Sequence, residues 1–387
     1  MRYANLLRTR LPSLSITCSL RHGTSRRFTV LALESSADDS CAAVVTSDRK
    51  ILSNVVINQQ AFVEEYGGIH PFVALHAHQR NMPGAVQRAL KEANLTINEV
   101  DGIAFTRGPG IPGCLSVCGN AARTLAAAVN KPLVGVHHMQ AHALTPFLTS
   151  PTEALPTFPF LTLLVSGGHT LLLLATSRIA FRILATTLDE SIGNAYDKVA
   201  KLLKIPYSGR APGAALEQFC TSGEDDAPEI HMPRPMRGRL AFSYTGLHST
   251  VERYLDAQRG ELDECARLGI ARSFQKAAVG QLEDKLALGI QQCTQRGIKV
   301  QHLVVSGGVA SNTFLRERLR ACLDAESPDE RIELVFPPPH LCTDNAAMIA
   351  WAAMDRFLAG DTDEYSLESR PKWSLEDLEA GEGESNR

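Results

Sequence analysis

The sequence predicts an α/β protein of two lobes with a cleft between them, and three observations predict it. At 387 residues the chain is too long for one ordinary core. Short apolar runs repeatedly end in polar or glycine-rich turns that open into helical stretches. One such unit occurs twice: Phe160–Val165 runs into Ser166-Gly167-Gly168-His169, and residues 302–305 run into Ser306-Gly307-Gly308. Paired glycines behind a buried strand let backbone N–H groups approach a phosphate or purine without Cβ obstruction, so the repeat suggests a cleft gripping one nucleotide from two sides.

Composition narrows the class. With 44% hydrophobic and 21% charged residues, the chain is that of an ordinary soluble globular protein. No run approaches the roughly 18 uninterrupted apolar residues of a membrane span. The nine cysteines are scattered singly, with no Cys-x-x-Cys pair, which suggests neither a disulfide framework nor a structural zinc module and fits a reducing compartment. Before the first acidic residue, Glu34, stand six arginines and many Ser and Thr, the composition of a mitochondrial transit peptide. A basic arm that binds RNA is the alternative. Removing those six arginines leaves 33 basic against 42 acidic residues, so an RNA partner needs local basic patches.

In chain order, residues 28–33 predict a strand and residues 41–45 a second, joined by an acidic turn. That turn puts Glu34, Asp38 and Asp39 within six residues, which suits positioning of a phosphate-bound cation or a general base. From 67 to 90 a loop precedes a helix expected to start near Asn81, with Pro83 in its first turn. His70, His76 and His78 then read as surface or RNA-facing residues. Residues 100–105 predict a strand, and the turn Arg107-Gly108-Pro109-Gly110 leads to a helix over 115–129, a physically competent anion site.

A strand over 133–136 delivers the chain to His137-His138-Met139-Gln140-Ala141-His142. On a helix, His138 and His142 stand at i and i+4 on one face, the spacing at which two imidazoles hold a divalent metal, while His137 points elsewhere. Met139 stands where zinc proteases carry a glutamate base, so the motif offers a metal without a hydrolytic base. Pro146 is expected to end this helix.

Farther on, Asn194-Ala195-Tyr196-Asp197-Lys198 enters a helix to Leu203, followed by a glycine loop at Gly209 and Gly213. Arg234, Arg237 and Arg239 precede an aromatic segment and could track a nucleic-acid backbone, although a solvated loop is the commoner reason for such a run. Helices over 263–294 lead to the second glycine turn, and residues 331–336 predict a strand stopped by three prolines. Cys342-Thr343-Asp344-Asn345 opens a helix over 346–358. Asp344 is either its N-cap or a third metal ligand, and the residues alone favour the cap. The tail from Gly360, nine acidic residues against three basic, is expected to be partly disordered toward Arg387.

Together these stretches resemble the tRNA threonylcarbamoyladenosine transferase family, in its mitochondrial branch. The likeness rests on Leu33-Glu34-Ser35-Ser36-x-Asp38-Asp39, Gly108-Pro109-Gly110, His137-His138-Met139-x-x-His142, Leu164-Val165-Ser166-Gly167-Gly168-His169-Thr170, Tyr196-Asp197-Lys198, Phe242-Ser243, Ser273-Phe274-Gln275, Val305-Ser306-Gly307-Gly308-Val309, Asn312 and Cys342-Thr343-Asp344-Asn345. It departs at Ala37, where the family often has Cys, and at His248, where Lys is usual.

The resemblance implies an actin-like ATPase fold, two lobes each with a mixed sheet flanked by helices. The lobes would be residues 28–137 plus 340–387 and residues 138–339, after a transit peptide at 1–27. It implies a matrix enzyme that transfers threonylcarbamoyl from threonylcarbamoyl-adenylate, supplied by a separate synthase, to N6 of the adenosine beside the anticodon in mitochondrial tRNAs. One divalent metal, zinc or iron, would be held by His138, His142 and Asp344. Leu164, Val165, Ser166, Gly167, Gly168, Asp197, Gly213 and Asn312 would hold the adenylate, Asp38 and Asp39 would lie near the reacting end, and a homodimer is expected. Two rivals remain on the residues alone: a metalloprotease, which lacks its base, and a nucleotide-binding scaffold, which has no need of a metal.

Overall fold

The computed structural model describes residues 27–379, apart from 67, 208, 224–226 and 259–261. The expected transit peptide therefore lies outside the described residues, save Arg27. Two five-stranded mixed sheets carry the fold, and they share one topology.

In the first sheet β1 (Thr29–Glu34), β2 (Ser40–Thr46) and β3 (Ile51–Ile57) form an antiparallel meander. After α1 (Gln60–Tyr66) and α2 (Pro71–Glu92), β4 (Gly102–Gly108) adds parallel to β1. Helix α3 (Pro112–Ala128) crosses over to β5 (Leu133–His137), parallel to β4. The order is β3-β2-β1-β4-β5. β1 and β2 are buried at every position, which is why they read as continuous apolar runs and not as alternating ones.

Helix α4 (His138–Thr149) leads into the second sheet, where β6 (Phe160–Val165), β7 (Thr170–Ala175) and β8 (Phe181–Thr186) repeat the meander. Then come α5 (Ile192–Leu202), α6 (Pro212–Cys220), α7 (Thr245–Ala257) and the long α8 (Glu264–Gln295). Strand β9 (His302–Ser306) joins parallel to β6, and after α9 (Thr313–Glu326) strand β10 (Glu333–Val335) joins parallel to β9. The duplicated order is the actin-like arrangement expected above. The short α10 (Pro339–Cys342) and then α11 (Ala346–Ala359) return the chain to the first sheet.

Three apolar cores follow from this layering. One lies between the first sheet and α2 and α3, and another between the second sheet and α5 to α9. The third joins the two halves: α4 and α11 pack on each other and contribute Met139, Leu144, Phe147, Met348, Ile349 and Trp351 to a cluster that also takes Val30 and Val136 from the first sheet and Leu164, Leu173 and Val304 from the second. Each such fully buried side chain contributes about 1.5–3 kcal/mol. The two helices between the sheets are therefore rigidly seated, which matters because both carry candidate ligands at or beside their first residues.

Several local expectations are corrected. Pro83 and Pro146 lie inside α2 and α4, because packing of the buried face of α2, with Met82 and Ala85 beside Pro83, and of the buried turns of α4 outweighs the one backbone bond each proline forfeits. α2 begins at Pro71, not near Asn81. The paired glycine turns do not grip from two sides: β6 and β9 are parallel neighbours in one sheet, so both turns leave its same end side by side. Of the tail, residues 360–379 are described and are tied to the body, while residues 380–387, toward which disorder was expected, lie outside the described residues. Asp363 pairs with Leu133 and accepts from Gly135 N at 2.7 Å, Arg370 N donates to Arg107 O, and Glu376 accepts from Ile183 N, so the segment straps β5 and β8.

Candidate metal centre and nucleotide cavity

The metal centre is built where the two inter-sheet helices begin. His138 is the first residue of α4, and His142 stands one turn on. The cap of α11 is Asn345, whose side chain accepts from Met348 N at 3.0 Å. That removes the cap role considered for Asp344 and leaves its carboxylate free to face α4. Asp344 Oδ1 lies 3.0 Å from His142 Nε2 and 3.3 Å from His138 Nε2. One ligand atom from each of the three residues falls within 4.8 Å of the others. Two imidazoles and a carboxylate are a donor set for zinc or iron, so the residues fit a resident divalent ion. His137 turns away: it caps α4, its Nε2 is 3.1 Å from the Trp373 carbonyl, and its ring packs on Trp373.

The opposite ring atoms of both histidines are oriented, as metal-binding imidazoles usually are. His138 Nδ1 is 3.1 Å from Glu34 Oε2 and 3.4 Å from Ser36 Oγ, and His142 Nδ1 is 3.5 Å from Ser306 Oγ. The residues alone pointed to neither partner. Glu34 reads as one more acid in a turn, and Ser306 as part of a nucleotide loop. Burial alone would depress His138, but the charges of Asp344 and Glu34 outweigh it and hold the imidazole at about 10. Against the same burial, His138 and the hydrogen bonds from both histidines keep Asp344 well below the usual carboxylate range. Burial pulls His169 down to about 4, with His138 and His142 adding to the effect.

The acidic turn shows the contrary behaviour. Burial lifts Asp38 to about 6, helped by the charges of Asp344 and, across the cleft, Asp197. Asp39 rises to about 8 through burial and then the charges of Asp38, Asp344 and Glu34.

Beside the metal trio a cavity of about 310 Å³ is lined by Gly167, Tyr196, Asp197, Gly213, Glu217, Gly308, Asn312 and Thr343 among others. It sits at the carboxyl ends of β6 and β9, the usual ligand position in α/β sheets. Gly193 opens α5 against the first glycine turn so closely that a Cβ there would meet the Ser166 carbonyl at 2.6 Å. Gly307 adopts φ +99°, and its N–H donates to the Cys342 carbonyl at 3.0 Å, tying the second turn to the segment that carries Asp344. Asp197 Oδ1 accepts from Gly213 N at 2.8 Å, and burial raises the carboxyl to about 6 against that bond.

Not every expected residue lines this cavity. Leu164 and Val165 put their side chains into the core, because β6 is central in its sheet. Ser166 Oγ is turned inward to accept from His169 N at 3.0 Å. Asn312 lines the wall while its Oδ1 caps α9 through Leu315 N at 2.8 Å. Tyr196, Glu217 and Thr343 were not expected to line it. Glu217 arrives on α6, one turn beyond Gly213. His78, expected at the surface, is fully buried behind the acidic turn.

The family model for tRNA N6-adenosine threonylcarbamoyltransferase matches residues 50–351. A mitochondrial protein of Arabidopsis thaliana, described as a probable enzyme of that name, is 38% identical over 365 residues, covering 89% of this chain and 74% of its own. A Bordetella pertussis enzyme of the same name is 40% identical over 361 residues, covering 91% of this chain and 99% of its own. Among solved structures, component A of (R)-2-hydroxyglutaryl-CoA dehydratase from Acidaminococcus fermentans superposes with a TM-score of 0.50 at 12% identity, covering 85% of this chain and 98% of its own, which speaks to the fold alone. The two-lobed fold, the motif-bearing turns and these sequence relationships together establish that this chain is a transferase belonging to the tRNA N6-adenosine threonylcarbamoyltransferase family.

Proposed function

We propose that the chain transfers threonylcarbamoyl from threonylcarbamoyl-adenylate to N6 of the adenosine 3′ of the anticodon in mitochondrial tRNAs reading ANN codons. The observation that carries this reading is the shared position of the metal trio, the acidic turn and the nucleotide cavity around one cleft. The adenylate's AMP part would occupy the cavity, with the Asp197 carboxylate accepting from ribose hydroxyls and the glycine turns allowing close backbone approach. His138, His142 and Asp344 would hold one zinc or iron ion, which when bound supplies Lewis acidity to the carbonyl and the leaving phosphate.

The chain's own residues account for the remaining steps. The N6 amine adds to the carbamoyl carbon, the C–O bond to phosphate breaks, AMP leaves, and N6 gives up one proton. Asp38, the more acidic of the pair at about 6, is the group assigned to take that proton, and Asp39, raised to about 8, the one assigned to donate a hydrogen bond. No serine or cysteine nucleophile is needed, and Cys41 is buried with its thiol held far from ionisation by burial and the surrounding carboxylates.

Asp197 gives a pH test that leaves the metal aside. Its carboxylate must be ionised to accept from the ribose, so adenosine affinity is expected to fall about tenfold per pH unit below about 6. Titration with adenosine, which has no phosphate to titrate, reads this directly. Asp197→Asn should bind weakly at every pH, and a flat wild-type profile would count against the ribose role.

The mitochondrial reading is supported by the arginine-rich, acid-free segment before Glu34 and by the Arabidopsis relative. Residues 1–33 fused to a reporter are expected to carry it into mitochondria, and deletion of residues 1 to about 27 should leave activity intact. A cytosolic reporter would end the idea. A homodimer is supported by the exposed Leu52, Val56, Phe62, Tyr66 and Phe72 on β3, α1 and α2.

A further inference from the structure

We propose that His78 is a positioning residue for the reaction: from α2 it splints the turn that aims Asp38 and Asp39 into the cleft. The inference rests on the role given above to those two carboxylates.

The turn between β1 and β2 is held from two sides. On the α3 side, Ser35 Oγ donates to the Cys114 carbonyl at 2.7 Å and accepts from Cys118 N at 3.1 Å, while Ile111 N donates to the Ser36 carbonyl at 2.9 Å. On the α2 side, among the described residues, the grip comes from one side chain. His78 Nε2 is 3.0 Å from the Ala37 carbonyl, and Nδ1 is 2.8 Å from Ser40 Oγ. A carbonyl can only accept, so Nε2 carries the hydrogen and Nδ1 accepts from the Ser40 hydroxyl. The two contacts bracket Asp38 and Asp39. Neither carboxylate hydrogen-bonds to another side chain among the described residues, so their direction depends on the backbone beneath them.

His78 itself touches no reacting atom. It is fully buried, and both ring nitrogens are committed to the turn. A fully buried imidazole with both nitrogens satisfied is a costly choice for a simple core position, where an apolar side chain of similar size would pack without needing partners. Its two bonds hold a backbone carbonyl on one side of the reacting pair and the Ser40 hydroxyl on the other, and small misplacements of reacting groups carry large rate effects.

Histidine variants separate this role from mere structure. His78→Ala is expected to lower kcat about 10- to 100-fold, with KM for threonylcarbamoyl-adenylate and adenosine affinity unchanged, since the cavity walls come from other elements. Gln places an amide N–H near the position of Nε2, whereas Asn mimics only Nδ1. His78→Gln should therefore recover most of the lost kcat and His78→Asn should not. That comparison stands even if the alanine variant fails to fold. Equal kcat in the Gln and Asn variants, or wild-type kcat in His78→Ala beside impaired Asp38→Asn and Asp39→Asn, overturns the inference alone. Wild-type kcat in both aspartate variants overturns the reading of the acidic turn, and the splint with it.

Discussion

Asp344→Asn is expected to fold normally and to lose both metal and activity, the latter by roughly 10²–10³-fold, the scale at which removing one electrostatic stabiliser acts. The substitution is informative because the two roles open to Asp344 predict opposite results. As a helix cap it would tolerate Asn, which caps equally well, whereas as a ligand it would not, since a neutral amide is a poor donor to a divalent ion. The structure sharpens the test by giving the cap to Asn345, so Asn345→Ala should cost about 1 kcal/mol of stability. In Asp344→Asn an amide oxygen can still accept from His138 or His142, which keeps the buried trio satisfied. Metal analysis of purified protein, with thermal unfolding alongside, checks the pair of outcomes. His138→Ala and His142→Ala should match Asp344→Asn in metal loss, while His137→Ala should keep the ion because its ring is committed to Trp373. Wild-type metal stoichiometry in Asp344→Asn would remove it from the donor set.

An all-or-none result is expected when the chain is supplied with tRNA, threonine, bicarbonate and ATP but no synthase: no modified adenosine forms. The sequence holds no Gly-x-x-x-x-Gly-Lys-[Ser/Thr] loop, and the cavity of about 310 Å³ lies at the small end of ligand pockets. It suits one nucleotide. Making the mixed carbamoyl-adenylate requires threonine, bicarbonate and ATP together, and the cavity assigned to its product leaves no room for that gathering. Addition of a synthase, or of preformed threonylcarbamoyl-adenylate, should switch modification on from background. Robust product from this chain alone, in preparations free of synthase, would show that the division of labour is wrong.

What the sequence determined by itself was local or repetitive. Strands β1, β2, β4, β5, β6 and β9 were legible because buried strands are written as apolar runs closed by glycine or acid, and the metal pair because helical spacing alone puts His138 and His142 on one face. Prolines misled about a helix start at Pro83 and a helix end at Pro146, since packing of α2 and α4 overrode a local rule worth one hydrogen bond. Tertiary structure alone decided what is brought together from far apart. Glu34 orients His138 from 104 residues away, Ser306 faces His142 from 164, and Asp344 closes the trio from 202. It also decided that His78 lies behind the acidic turn, that Glu217 reaches the cavity, and that an acidic tail straps the two sheets. The physical reason is common to all of these. Secondary structure follows from side-chain pattern within a few residues, whereas an orienting partner is specified by where its strand or helix ends in the folded body, and a lone Glu, Ser or His carries no mark of that destination.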